Sequence, residues 1–166
     1  DPSTNTPVEI LHNILLGVAK YLVTDLVKVV LKGHPGLLNK LIDSLNEYEK
    51  SQGLSRKFTR LLRHCGSFLG RDFKILVQIL PIVLATEFVN DNDLSLITPC
   101  FLSKIIILTL PVKNTVTSLI QKLYFYDKNC GIEGHKPYTS KPKVQLLTHL
   151  PDDLQRFGTA LHYETE

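Results

Sequence analysis

The segment from Pro7 to Lys32 constrains the fold more than any other part of the chain. Thr6-Pro7-Val8-Glu9 carries three agreeing start signals. The Thr6 hydroxyl can cap a helix, Pro7 suits the first helical position, and Glu9 can close a capping box. Beyond it, Glu9, Asn13, Gly17, Lys20, Thr24 and Lys28 recur at steps of three and four. That spacing lays one narrow polar stripe along an otherwise apolar rod. A helix with so little polar surface is expected to lie near the centre of the fold, largely surrounded by protein. Gly33 supplies the stop, with Pro35 just beyond it.

A second helix is predicted over Leu37 to Tyr48, with Leu37, Leu38, Leu41, Ile42 and Leu45 on its inner face. Ser51-Gln52-Gly53 breaks it. A third fits Ser55 to about Leu69 and ends at Gly70. A fourth runs from near Asp72 to Val89 and is expected to bend at Pro81, which has no N–H to give the preceding turn. Asn90-Asp91-Asn92-Asp93 reads as a polar loop. Pro99 and Pro111 bracket another apolar helix, and Thr115 to Tyr126 fits one more. From Cys130 to Lys143 the texture changes: Gly131, Gly134, Pro137 and Pro142 mark a loop. Val144-Gln145-Leu146-Leu147 fits a short strand or a helical turn, and Pro151-Asp152-Asp153-Leu154 another helix start. The expected fold is mainly α: a single-domain helical bundle with little or no β structure near the C-terminus. Residues 1–130 form its helical body, and residues 131–166 a loop and C-terminal segment packed on it.

With 166 residues, 43% of them hydrophobic and 21% charged, the chain suits one domain with a true core. A chain of this size buries roughly two thirds of its unfolded surface. The longest apolar stretches, Ile75–Ala85 and Ile105–Val112, are too short to span a bilayer and read as buried helices. No membrane association is therefore expected. No signal peptide is visible, and one already removed would leave no trace. The sequence contains no Met, so Asp1 is expected to be a processed end or an internal boundary. Cys65, Cys100 and Cys130 are widely spaced and odd in number, unlike a zinc knuckle or a redox pair. They are read as reduced thiols of an intracellular protein. The alternative is one disulfide and a free thiol in a secreted one.

The formal net charge of +3, from 19 Lys and Arg against 16 Asp and Glu, is too mild to argue nucleic-acid binding by itself. The distribution is more informative. Between Leu54 and Arg71 stand Arg56, Lys57, Arg60, Arg63 and Arg71, with no acid among them. On a helix, Arg56, Arg60 and Arg63 share a face opposite Phe58, Leu61 and Leu62. Such a row can neutralise phosphates, and it equally fits the solvated face of an amphipathic helix. Glu164 and Glu166 are two apart, so on a strand they would share a face and could bind Mg²⁺ through oxygen. A solvated acidic tail has the same spacing. His149 and His162 flank this end as acid–base or ligand candidates, yet no H-E-x-x-H spacing sets them apart from ordinary surface histidines.

Three blocks of the sequence resemble one family. Asp1-Pro2, then Thr6-Pro7-Val8-Glu9-Ile10-Leu11-His12 with Leu15-Leu16-Gly17 and Lys20-Tyr21, resembles a signature of the Plavaka-like, CACTA-related transposases of fungi. Gly70-Arg71-Asp72-Phe73 with Gln78 and Pro81 resembles a second block of these proteins. Lys141-Pro142-Lys143, Leu147-Thr148-His149-Leu150-Pro151, Arg156-Phe157-Gly158 and Glu164-Thr165-Glu166 resemble the third. The blocks keep their order and approximate spacing over nearly the whole chain.

The resemblance implies an RNase H-like Asp-Asp-Glu enzyme that cuts and joins DNA with two Mg²⁺ or Mn²⁺ ions. Asp1 would take the second carboxylate position, residues 7 to about 130 the helical insertion, and Glu166 or Glu164 the last carboxylate. Glu166 is preferred because the family's Thr-Glu block ends there. Asp1 and Glu166 would then be metal ligands. In the family's pattern the first Asp and the central sheet fall before Asp1, and the Glu-bearing helix continues past Glu166. A metal site needs all its ligands on a rigid scaffold. The expectation for this chain alone is therefore no bound metal and no catalysis. It is expected to be a nuclear or intracellular transposon-derived fragment with weak, non-specific affinity for DNA. The alternative is a non-enzymatic helical module, domesticated or secreted, with a protein partner.

Overall fold

A computed structural model describes residues 17–52, 62–109 and 112–152. The architecture is mainly α, with no strand among the described residues. Helix α1 (Lys20–Asp25) continues as a π-helical turn over Leu26–Val30, closed where the Leu31 N–H reaches the Leu26 carbonyl at 2.9 Å. Val18, Ala19, Leu22, Val23, Leu26, Val27 and Leu31 are buried, while Lys20 and Thr24 are partly covered and Lys28 is exposed. The described part of the first helix is thus largely enclosed, as its stripe predicts. Gly17 belongs to the stripe by spacing but is buried. The start signals at Thr6–Glu9 lie outside the described residues.

The chain leaves this helix at Gly33, whose φ is +90°. An L side chain rarely adopts that conformation, so glycine releases the turn without strain. Helix α2 (Pro35–Gln52) follows and buries Leu41, Ile42 and Leu45, with Leu37 and Leu38 half-covered.

The predicted third helix is corrected where it can be seen. Leu62–Ser67 is a 3₁₀ segment with His64 off helical geometry (φ −99°, ψ 26°), and Leu69 is extended (φ −91°, ψ 169°). Residues 53–61 lie outside the described part. Gly70, read as a stop, begins helix α3 (Gly70–Glu87) instead. The reason lies in the residues on either side of the junction. The Asp72 carboxylate accepts the Leu69 N–H at 2.7 Å, satisfying a donor that the start of a helix leaves orphaned. Helix α3 runs through Pro81, which is itself buried, and ends two residues before the predicted Val89. Phe73, Leu76, Val77, Leu80, Val83 and Leu84 are all buried, so α3 packs on both its neighbours, α2 and helix α4 (Thr98–Thr109).

Between α3 and α4 the predicted polar loop is organised by Asp91, whose carboxylate accepts the N–H groups of Asp93 (3.0 Å) and Leu94 (3.2 Å). Helix α5 (Val112–Asn129) packs on α4. Its buried positions Val116, Leu119, Leu123 and Tyr126 step by three and four and mark one face. The ambiguous Val144–Leu147 segment is helical. Helix α6 (Pro142–Leu146) passes into a 3₁₀ turn at Leu147–His149. Tyr138, Val144, Leu147 and Leu150 sink into the same core as α1, each burial contributing roughly 1.5–3 kcal/mol for an aliphatic side chain. The helix start at Pro151 is described only as far as Asp152.

Candidate functional site

Most of the site residues that the sequence suggests fall outside the described residues: Asp1, Glu164 and Glu166 for the carboxylates, and Arg56, Lys57 and Arg60 for the basic row. His162 does too. Arg63 is described. It is exposed on the 3₁₀ segment, and its guanidinium donates to the Asn39 side chain of α2. His149 is exposed at the end of its 3₁₀ turn.

The segment that carries Arg63 has a neighbour that sequence spacing does not reveal. The Leu62–Ser67 segment packs against the first helix, where the Lys28 ammonium lies 4.0 Å from the position a Cβ on Gly66 would take. Lys28 is close enough to Cys65 to pull its thiol pKa down, although burial wins and leaves that pKa raised. Two stretches free of acid therefore meet: residues 26–42, carrying Lys28, Lys32 and Lys40, and the described residues 62–71, carrying Arg63 and Arg71. Lys28, Lys32, Lys40 and Arg63 are all exposed. Lys40 also covers the Phe88 ring at 5.0 Å, which ties α2 to the end of α3. Acids lie close by as well: the exposed Asp43 stands one turn beyond Asn39 on α2, and His34 faces Asp93 at 3.8 Å.

A second polar cluster lies where α5 meets the loop after it. The Asp127 carboxylate accepts the His135 ring Nε2–H (2.8 Å), the Tyr138 N–H (2.8 Å), and the N–H (3.1 Å) and hydroxyl (3.0 Å) of Thr139. Burial alone would raise the Asp127 pKa, but these four donors outweigh it and hold the carboxyl below its ordinary value. The His135 ring sits edge-on to Tyr126 and Tyr138, with centroids 5.6 and 5.5 Å away. Both phenol oxygens are buried, and the Tyr138 hydroxyl faces the Asp25 carboxylate. Burial pushes both phenol pKa values upward, and the Asp25 carboxylate adds to the shift. Nothing in the spacing of Asp127 and His135 marks them. The one signal in the sequence is a lone acid on α5 ahead of a loop with several backbone donors to satisfy.

Among the described residues, no group of three or more His, Cys, Asp or Glu is placed to hold a metal. None of their helices is long and apolar enough to cross a membrane. The three cysteines are free thiols: Cys65 and Cys100 are buried and Cys130 is partly covered. An open groove of about 390 Å³ lies between α5 and residues 148–152, lined by Val116, Ile120, Thr148 and Pro151 among others. Compared with protein-family models, curated proteins and solved structures, the chain matches none of them.

Proposed function

We propose that this chain is the helical, DNA-contacting part of a transposon-derived protein, holding phosphates on one cationic face and catalysing nothing alone. The observation that carries the reading is the meeting of the two acid-free basic stretches, with Lys28 against Gly66 and Arg63 against Asn39. Lysine and arginine in such a patch neutralise phosphates and release counterions, which gives affinity without base readout. Arg56, Lys57 and Arg60 extend the same stretch in sequence. The resemblance to Plavaka-like transposases supplies the substrate class. On that resemblance Asp1 and Glu166, or Glu164, belong to a metal site with Mg²⁺ or Mn²⁺ as its ions. The matching compartment is the nucleus or the cell interior.

The test is binding of a labelled duplex across a salt series, comparing the parent chain with a Lys28→Ala/Arg63→Ala double variant and an Arg56→Ala/Arg60→Ala/Arg63→Ala triple variant. Each phosphate-neutralising residue removed lowers the salt slope by about one. Unchanged slopes in both variants would return these residues to an ordinary solvated surface.

One observation favours a second reading, a protein-interaction module, intracellular or secreted. Tyr124 and Phe125 are adjacent on α5 and remain 61% and 59% exposed. Aromatic side chains are enriched where proteins meet. Under this reading, Tyr124→Ala/Phe125→Ala abolishes partner capture and leaves DNA affinity untouched.

A further inference from the structure

The loop that Asp127 organises ends on Lys141, and this lysine does not extend into solvent. Its ammonium stands 4.1 Å from the centroid of the Tyr138 ring and 4.6 Å from that of Tyr21, with the Asp25 carboxylate at 3.9 Å. Tyr21 and Asp25 come from α1, and Tyr138 from the 3₁₀ turn at Tyr138–Ser140. Two aromatic faces and one carboxylate around a single cation are the chemistry that recognises organic ammonium groups. The parts are rigidly held. Tyr138 is fully buried, its N–H fixed on Asp127, and Tyr21 packs on the core.

We propose that Tyr21, Tyr138 and Asp25 form an ammonium-binding cage occupied by Lys141, and that the cage latches the chain after the loop onto the first helix. Other described elements carry the rest of the attachment, through Val144, Leu147 and Leu150 in the core. The latch therefore adds to that attachment and bears most directly on the local hinge. That hinge is the backbone around Lys141, where its N–H donates to the Tyr138 carbonyl (3.0 Å) and its own carbonyl accepts the N–H groups of Val144 (2.9 Å) and Gln145 (3.1 Å). The class of ligand follows from the same geometry. With the lysine head removed, the cage takes a small primary or methylated ammonium ion.

The distinction to be tested is charge against packing, because a lysine stem also covers apolar surface. Lys141→Met keeps a stem without a charge, Lys141→Ala empties the cage, and Lys141→Arg keeps a cation that also sits well on aromatic faces. The readouts are thermal midpoints and amide exchange at Lys141, Val144 and Gln145. Each is measured with rising methylammonium or tetramethylammonium chloride against sodium chloride at equal ionic strength. We expect Lys141→Ala and Lys141→Met to lose about 2–4 °C each, and Lys141→Arg to stay near the parent. Methylammonium should restore most of the thermal midpoint and the slow exchange in Lys141→Ala. It should do nothing for the parent, whose cage is full, or for Asp25→Asn/Lys141→Ala, which lacks the carboxylate. A Lys141→Met variant as stable as the parent would overturn the proposal, as would a rescue that sodium reproduces.

Discussion

Replacing Asp127 by Ala removes the acceptor for four donors at once: the His135 ring, the Tyr138 and Thr139 amides, and the Thr139 hydroxyl. A hydrogen bond to a charged group contributes about 1.5–3 kcal/mol, so the plain sum would be roughly 6–12 kcal/mol. That sum overshoots, because the cluster is only partly buried, water can replace some of the missing partners, and a loop relaxes more easily than a core. A destabilisation of about 3 kcal/mol is expected, equivalent to about 6–12 °C in a domain of this size. The pH dependence gives a sharper signature. The folded-state pKa of Asp127 is lowered, so its contribution is present in full above the unfolded value of about 4. It is lost as pH falls below that through the folded value. Urea unfolding of the parent and the variant should therefore show a stability gap that is constant from about pH 5 to neutrality and closes progressively below about pH 4. A gap under about 0.5 kcal/mol at neutral pH, within the range of an ordinary surface substitution, would refute the reasoning. So would a gap that persists unchanged into acid.

The thiols should react in the order of their exposure. Cys130 is alkylated in the native protein, whereas Cys65 and Cys100 react only when it unfolds. Burial holds both of the latter pKa values up, that of Cys100 to about 12. Mass spectrometry after brief alkylation reads this directly, and equal labelling of all three cysteines would contradict it. Gly33→Ala is expected to cost about 1–2 kcal/mol in denaturant titration. Nothing lies within 4 Å of the added Cβ, so the cost comes from the positive φ alone; a neutral result would mean that the turn re-forms with a different backbone.

How much of the fold and the site is legible in the sequence depends on the range of the interactions. The stripe from Lys20 to Lys28 and the Gly33 stop are local patterns, and α1 follows them. The same holds on α5, where Val116, Leu119, Leu123 and Tyr126 declare one apolar face. Gly70 misleads because a glycine after an apolar run looks like a helix end. The carboxylate of Asp72, turned back onto the Leu69 N–H, makes it a helix start. The loop from Cys130 is announced by its glycines and prolines, but its anchors are not. Asp127 reaches donors 8 to 12 residues ahead, and Lys141 finds Asp25 across the fold. The first pairing forms only when the loop folds back on α5, and the second only when Lys141 comes against α1. The basic row is visible through Arg63, and Lys28 is visible as part of a stripe. Their proximity on one surface is not, because it depends on the Leu62–Ser67 segment folding back against the first helix.

The central claim, a cationic face that holds phosphates without reading sequence, is tested most directly by the salt dependence of DNA affinity on two unrelated duplexes. Observed affinity should fall linearly in log–log form as salt rises, with the same slope on both sequences. That slope reports the phosphates neutralised, at about 0.9 for each one. Weak binding at low salt, equal on the two duplexes, is expected, with a shallower slope in the Lys28→Ala/Arg63→Ala variant. Absence of binding at low salt, or an affinity that differs between duplexes and ignores salt, would contradict it.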